Sequence, residues 1–187
     1  MFKGPFARRP TPGLLGTTAT CALVGLTMGC APPTPLPGTS LGTYNVTGTL
    51  ETNTCGSGLG APNPWTFTTQ MSEDGAVLYW EISGGTELYS TMSSATQVSI
   101  TSVSTTNVDG TDAGIQGPCD LQSTTALDLN LSAGSPPATF TGTITYTFEA
   151  AVGVSSATNC TDQLSASGGT YDTLPCTASY SLAGMHQ

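Results

Sequence analysis

The stretch TFTGTITYTFE, residues 139–149, decides the fold class of this 187-residue chain. Large apolar side chains alternate with threonines in it, and the apolar set is Phe140, Ile144, Tyr146 and Phe148. An apolar period of two is the pattern of a β-strand, because successive side chains of a strand point to opposite faces of the sheet. An apolar face opposite a hydroxyl-rich face indicates an antiparallel sheet with one side exposed to water.

The same alternation recurs along the rest of the chain. It appears in TYNVTGTLE (43–51), WTFTTQM (65–71), AVLYWEI (76–82) and CTASYSL (176–182), and more briefly near 86–92, 98–100 and 127–131. No segment shows a helical period, and the intervening segments contain Gly, Pro, Asp and Ser turn signals. We therefore predict an all-β fold of about eight antiparallel strands in meander order.

The lack of basic residues indicates whether such a sheet is open or closes into a barrel. An open sheet leaves two exposed edges, which natural proteins often protect with lysine. No Lys or Arg follows Arg9, which favours a closed or nearly closed barrel, with a β-sandwich as the alternative. Gly42-Thr43-Tyr44, at the start of the first predicted strand, resembles the Gly-x-Trp opening of lipocalin-like barrels, with Tyr in place of Trp and without that family's late-strand Arg. The resemblance implies a barrel architecture and transfers no binding residue.

The first 29 residues have the features of an export signal. Lys3, Arg8 and Arg9 precede an apolar run from Gly13 to Gly29, which is short and interrupted by Thr and Gly. Such a run is too short for an ordinary membrane span. We assign residues 1–29 to this signal and leave them out of the fold.

The segment LTMGC, residues 26–30, resembles the lipobox of bacterial lipoproteins, with Leu26 one place earlier than that family's usual leucine. The resemblance implies that Cys30 is acylated and becomes the first mature residue, which attaches the protein to a membrane of the bacterial cell envelope. Plain secretion after a cut near Ala31 is the alternative. The Pro-rich residues 30–40 then predict an extended tether, followed by one β domain over residues 41–187.

The charge balance excludes several classes of partner. After Arg9 the chain keeps all 12 Asp and Glu and has no Lys or Arg, so the formal charge moves from −9 for the whole sequence to −12 for the exported part. Binding to nucleic acid depends on Lys and Arg that neutralise phosphates, and docking to anionic lipid needs a basic patch. We therefore expect neither a nucleic-acid partner nor a polyanionic one.

Four of the six cysteines remain after Cys21 of the signal and Cys30 of the lipobox are set aside. An even number in an exported chain predicts two disulfides, formed by Cys55, Cys119, Cys160 and Cys176. Sequence alone allows three pairings, of which we favour Cys160–Cys176 with Cys55–Cys119, because these loops do not cross. Zinc is the weaker alternative, since there is no CxxC pair and the one histidine is His186.

Side chains for catalysis or metal binding are few. A Ser-His-Asp arrangement would need His186, which we expect to lie at a frayed chain end. Glu81 and Glu87 flank a Gly-Gly turn and are the pair that a carboxylate-dependent hydrolase would use, although two solvated charges on an outer face are the simpler interpretation. Asp109 and Asp112 are weak candidates for a calcium site, because Asp-Gly is also an ordinary turn dipeptide.

Aromatic side chains are the remaining candidates for ligand binding. Tyr79, Tyr89 and Trp65 lie near turns and are able to stack on a sugar ring or an apolar ligand. Trp65, Trp80 and Tyr79 are the ligand-binding candidates, and Tyr79 has the parity of an outward-facing residue. Packing in the core is the alternative for the two tryptophans.

We therefore expect a cell-envelope lipoprotein that is not an enzyme and needs no cofactor. A binding or structural module is the leading hypothesis, with a small apolar molecule or a glycan as the possible ligand. A carrier that holds a small apolar ligand in the barrel is the alternative, and a carboxylate-dependent hydrolase is a distant one. The sequence does not predict an oligomeric state.

Overall fold

The computed structural model describes residues 35–83, 85, 87–108, 119–151 and 170–187. Almost all of this part is β-structure, as predicted. The strands are β1 (Thr39–Asn53), β2 (Trp65–Asp74), β3 (Val77–Ile82), β4 (Glu87–Thr91), β5 (Gln97–Val108), β6 (Cys119–Leu131), β7 (Thr139–Ala150) and β8 (Cys176–His186), with one 3-10 turn at Ser57–Leu59. The short strand predicted near 86–92 is β4.

The eight strands form one antiparallel sheet in the order β4-β3-β2-β1-β8-β7-β6-β5. Every strand pairs with its neighbours in the chain except at the β4–β5 junction, and the first and last strands pair with each other. The sheet curls into a nearly closed barrel rather than a sandwich, so the predicted fold class and meander order are confirmed. We call the unpaired junction between β4 and β5 the seam.

The two ends of the barrel differ. At the tether end, β1 begins and β8 finishes, since Thr39 lies opposite Glu73 and His186 lies opposite Tyr44. At the loop end, β1 finishes and β8 begins, since Asn53 lies opposite Ala178. We use these two names below.

The inner face of the barrel is filled by large side chains. The fully buried ones include Trp80, Tyr44, Tyr180, Phe140, Met71, Leu78, Leu127 and Ile144. Glycines on the inner face make room for them. A Cβ atom on Gly184 would overlap the ring of Phe140, its register partner on β7. Packing of this kind supplies most of the free energy that holds the sheet curled, because apolar burial contributes about 25 cal/mol per Å².

The Gly-x-Tyr motif at the start of β1 closes the tether end. The Tyr44 hydroxyl donates hydrogen bonds to the carbonyl oxygens of Pro137 at 2.8 Å and Leu41 at 3.2 Å. The ring of His186 meets Tyr44 edge-on at 5.2 Å, and Gly42, at φ +99°, has no room for a Cβ beside that imidazole. The prediction of a frayed end at His186 is therefore wrong, because its N–H bonds the Ala138 carbonyl oxygen at 3.0 Å and it belongs to β8.

A second, smaller apolar cluster covers the loop end. It consists of Cys55, Leu59, Leu121, Tyr171, Leu174, Cys176 and Ala178. A disulfide joins Cys55 to Cys176 within it, so our preferred pairing of Cys176 with Cys160 and of Cys55 with Cys119 is wrong. The reason is the closure of the barrel: β1 and β8 are neighbours, which places these two cysteines side by side despite their separation of 121 residues. Cys160 lies outside the described residues, and Cys119 is described only as the first residue of β6.

Candidate functional site

Both tryptophans predicted as ligand-binding residues lie inside the barrel. Trp80 is 0% exposed and Trp65 is 9% exposed. They belong to a continuous row of rings in the order His186, Tyr44, Phe140, Trp80, Phe67, Trp65 and Tyr180, with centroid separations of 4.2 to 6.5 Å between neighbours. Tilted and edge-on contacts of this kind stabilise a core beyond the area that they bury. The two tryptophans therefore form part of the packed interior.

Two polar atoms in this interior lack a hydrogen-bond partner among the described residues. They are the indole Nε1 of Trp80 and the hydroxyl oxygen of Tyr180. Burial, together with charge repulsion from the nearby Tyr180, raises the pKa of Tyr146 above the usual tyrosine value. The Trp80 Nε1 and the Tyr180 hydroxyl lower the stability of the folded state relative to an all-apolar core, because a buried donor without an acceptor costs about 1–3 kcal/mol.

Tyr79 lies on the outer face, as predicted, and it has an aromatic partner there. Tyr79 on β3 is directly opposite Tyr89 on β4, and the ring centroids are 5.6 Å apart with planes inclined by 33°. Tyr79 is partly exposed and Tyr89 is 62% exposed, among the most exposed large apolar side chains described. Tyr89 is also one of the aromatic residues that the sequence places near a turn, and it faces outward on β4, where Leu88 is buried and its neighbours are exposed. We call these two rings the tyrosine pair.

A shallow depression of about 330 Å³ lies on the outer face of β1 and β2. Its nearest lining residue on β2, Thr68, is four residues along the strand from Ser72, the register partner of Tyr79. Outward-facing amide and hydroxyl side chains line it: Asn45, Thr47, Thr66 and Thr68, with the strand backbone at Val46 and Phe67. None of these lining residues carries a charge. Sequence reasoning missed this depression, because single Thr and Asn residues on a wet strand face are too common to single out.

The depression and the tyrosine pair lie on the same outer face of the sheet. Gln70 follows Thr68 on this face of β2 and lies opposite Glu81 of β3. Ser72 lies opposite Tyr79 but is buried, and its hydroxyl bonds the Pro37 carbonyl oxygen. The surface therefore runs diagonally over β1 to β4, from uncharged hydrogen-bonding groups to exposed rings. We call it the β1–β4 face.

The predicted carboxylate pair also lies on the β1–β4 face. Glu81 and Glu87 are register partners across the β3–β4 hairpin, next to the tyrosine pair. Glu81 is partly exposed and Glu87 is exposed, as expected for outer-face charges. His186 lies at the tether end against Tyr44, so the fold does not bring an imidazole to these carboxylates.

The structure also places the chain segment that leads toward Cys30. The Ser72 hydroxyl donates a hydrogen bond of 2.6 Å to the carbonyl oxygen of Pro37, and Ser72 is the register partner of Tyr79. The chain thus leaves the barrel beside the tyrosine pair. Asp109, Asp112 and Cys30 itself lie outside the described residues.

Two further observations concern the described part of the chain alone. It contains no group of three or more His, Cys, Asp or Glu side chains arranged to hold a metal ion. None of its helical segments has the length and apolar character needed to cross a bilayer. Comparison of the whole chain with protein-family models, with curated proteins and with solved structures found no match.

Proposed function

We propose that this protein is a non-enzymatic binding module of the bacterial cell envelope, anchored through acylated Cys30, and that its β1–β4 face binds a neutral glycan. The observation that supports the glycan most directly is the exposed tyrosine pair, which lies on the same outer face of the sheet as an uncharged depression lined by Asn and Thr. Aromatic rings stack on the apolar faces of sugars, and amides and hydroxyls exchange hydrogen bonds with sugar hydroxyls.

The charge of the surface selects the kind of glycan. Glu81 and Glu87 are charged side chains beside the tyrosine pair, and both are acceptors that suit sugar hydroxyls. No Lys or Arg occurs after Arg9 to pair with a sulfate, phosphate or uronate group. Neutral sugars therefore fit this face, and acidic polysaccharides are repelled.

The tether limits where the glycan lies. Pro37 follows Cys30 by seven positions, and seven residues in a polyproline II conformation would span about 22 Å. Because Pro37 is bonded to Ser72 beside the tyrosine pair, lipid on Cys30 would hold this face close to the bilayer. The ligand would then be a membrane-proximal glycan.

The proposal is tested by titrating the exported protein with neutral oligosaccharides while amide chemical shifts are recorded. Shifts should cluster on β1 to β4, and Tyr89→Ala should weaken binding about tenfold, because one aromatic stacking contact of 1–2 kcal/mol is lost. Val103→Ala is the matched control, since it removes an exposed apolar side chain of similar exposure, 58%, from β5. Equal affinity in the Tyr89 variant, or shifts confined to other strands, would reject this site.

The anchor is tested separately by mass spectrometry of the N-terminus from the native host. A mass that corresponds to acylated Cys30 is expected. An unmodified N-terminus beyond residue 30 would support secretion instead, and would leave the glycan proposal standing.

A carrier role is the second candidate. The Trp80 Nε1 and the Tyr180 hydroxyl inside the barrel favour it, because neither has a hydrogen-bond partner in the part of the chain that the structure describes. The inner faces of β5 and β6 also change from aliphatic to hydroxyl side chains halfway along the strands. Ser102 and Thr125 are register partners, and they lie on the same face as the buried pair Ile100 and Leu127. A small uncharged ligand with a hydrogen-bond acceptor suits such an interior. Tryptophan fluorescence should respond to the neutral probe N-phenyl-1-naphthylamine if the barrel takes up ligands, and an unchanged spectrum would reject the carrier.

A further inference from the structure

We propose that a row of hydroxyl side chains inside the barrel, toward the loop end of β5, β6 and β7, binds a neutral aromatic molecule that carries a carbonyl oxygen. This inference deepens the carrier candidate and rests on it, but it does not depend on the glycan proposal. It assigns the chemical class of the ligand and the strands that hold it.

The inner faces of β5, β6 and β7 change character along their length. Near the tether end their side chains are apolar and buried: Val98, Ile100, Leu127, Leu129, Phe140 and Ile144. Further toward the loop end the same faces present hydroxyl groups: Ser102, Ser104, Ser123, Thr125 and Tyr146. We call these five residues the hydroxyl belt.

The hydroxyl belt is continuous across the three strands. Thr125 of β6 is the register partner of both Ser102 on β5 and Tyr146 on β7. One step nearer the loop end, Ser104 is the register partner of Ser123, and their hydroxyl oxygens are 2.8 Å apart. Register partners on one face of a sheet lie close enough to contact the same small molecule.

The hydroxyl belt is open to solvent although it lies on the inner face. Four of its members are half-buried, and Ser104 is exposed. It also lies between two apolar clusters, with Ile100 and Leu127 of the main core on one side and Leu121 and Phe148 of the loop-end cluster on the other. A polar band in this position suits a ligand or water, because hydroxyl groups inside a protein need hydrogen-bond partners.

Aromatic rings adjoin the belt on its core side. The ring centroid of Trp65 on β2 is 6.3 Å from that of Tyr146 and 5.2 Å from that of Tyr180. Phe67, which is half-buried, packs against Trp65 with a centroid separation of 4.2 Å. A planar aromatic ligand at the belt would gain the same tilted ring contacts that these side chains make with one another.

The Tyr180 hydroxyl points to a hydrogen-bond acceptor in the ligand. Tyr180 is 0% exposed, and its hydroxyl has no partner in the described part of the chain, which is unfavourable for a buried O–H group. Tyr180 follows Ala178, the register partner of Tyr146, on the inner face of β8. A carbonyl oxygen held at the belt would accept this hydrogen bond after a shift of the half-buried Tyr146 side chain.

Charge restricts the ligand to neutral molecules. The exported chain has no Lys or Arg to pair with a carboxylate or phosphate group, and its one histidine, His186, lies at the tether end. A cationic ligand would find no carboxylate among the five belt residues. Since an unpaired charge is strongly disfavoured inside a barrel, a neutral carbonyl compound fits best. An eight-stranded barrel has room for one small molecule of this kind.

Coumarin and naphthalene test this site, because they are fused bicyclic molecules of similar shape and only coumarin carries a carbonyl oxygen. Each is titrated into the exported protein while amide chemical shifts are recorded. Coumarin should bind at least about fivefold more tightly, with shifts centred on residues 102–104, 123–125 and 146. Tyr180→Phe and Thr125→Val each remove one hydroxyl and should weaken coumarin binding about fivefold, while naphthalene binding stays the same.

Thr124→Val is the matched control, since Thr124 is adjacent to Thr125 but lies on the outer face of β6. Equal affinity for coumarin and naphthalene would overturn the proposal, as would shifts confined to other strands or coumarin affinity that neither hydroxyl variant changes. Uptake of N-phenyl-1-naphthylamine without a preference for coumarin would reject this site and leave the carrier role standing. No uptake of any of the three probes would reject both.

Discussion

The β1–β8 junction and the β4–β5 seam show opposite relations between distance in sequence and contact in space. β1 and β8 are the first and last strands, yet they pair from Tyr44 to Asn53. β4 and β5 are joined by residues 92–96 only, yet they have no ladder between them beyond the isolated Ser94–Gln97 bridge. Short connections usually favour pairing, because the entropy cost of closing a short loop is small. In this protein β4 and β5, which are joined by the short connection, are left unpaired, whereas β1 and β8 pair.

The difference follows from what each junction buries. The β1–β8 junction brings together Tyr44, Tyr180 and Leu182 on the inner face and the disulfide at the loop end. β4 contributes a single buried residue, Leu88, and ends after five residues. Core packing and covalent linkage therefore decide where the barrel closes, and local chain connection does not.

The largest expected effect comes from removing the disulfide at the β1–β8 junction. Cys55→Ala with Cys176→Ala should lower the free energy of unfolding by about 4 kcal/mol, since the bond closes a long loop in the unfolded chain. Urea denaturation measures this loss. A loss below about 1 kcal/mol would mean that the strand ladder alone holds β1 against β8.

Crowding the inner face of β8 should have the next largest effect. Gly184→Val places a side chain against the Phe140 ring, and overpacking of this kind costs about 3 kcal/mol. Ala183→Val is the control, because Ala183 is on the same strand but exposed. Thermal unfolding of both variants compares them, and equal melting temperatures would show that the inner face has spare room at Gly184.

Alkaline pH should weaken the loop end near the disulfide. Burial raises the pKa of Tyr171 from the ordinary tyrosine value of 10.0 to about 12. A raised folded-state pKa gives stability that is complete below pH 10 and is lost as pH rises toward 12. Tyr171→Phe should therefore flatten the pH dependence of the unfolding midpoint over this range, and an unchanged slope would contradict the assignment.

A smaller effect, of opposite sign, is expected at Tyr180 on β8. Its buried hydroxyl has no partner among the described residues, so Tyr180→Phe should stabilise the protein by about 1 kcal/mol. Chemical denaturation is the measurement. Destabilisation of the same size would show that the hydroxyl is satisfied in solution, by water or by a ligand.

The smallest expected effect is a difference in amide hydrogen exchange at the seam, which is measured on the unaltered protein. The Met92 N–H bonds the Ala76 carbonyl oxygen at 2.8 Å, so even-numbered residues of β4 bond to β3 and odd-numbered ones face the seam. The Tyr89 amide should exchange faster than the Ser90 amide, and both faster than Thr47, which lies in a strand paired on both sides. Equal protection of Tyr89 and Ser90 would mean that the seam is closed in solution.

The candidate surface was only partly predictable. The parity of Tyr79 against Trp80 was enough to place Tyr79 outside, and the structure agrees. Its neighbours on the β1–β4 face depend on the register of four strands, which brings Gln70 opposite Glu81 and Ser72 opposite Tyr79. A shift of one residue would turn every side chain to the other face, so the surface exists only once the register is fixed by inner-face packing.

The amino-acid sequence by itself determined the strands, their apolar inner faces and the acidic character of the chain after Arg9, because alternation and charge are local properties that need no partner. Only the tertiary structure decided that β1 meets β8, that Cys55 bonds Cys176 and that the barrel stays open between β4 and β5. These features depend on which residues far apart in the chain fill the same interior, and that competition is settled by packing among all eight strands together.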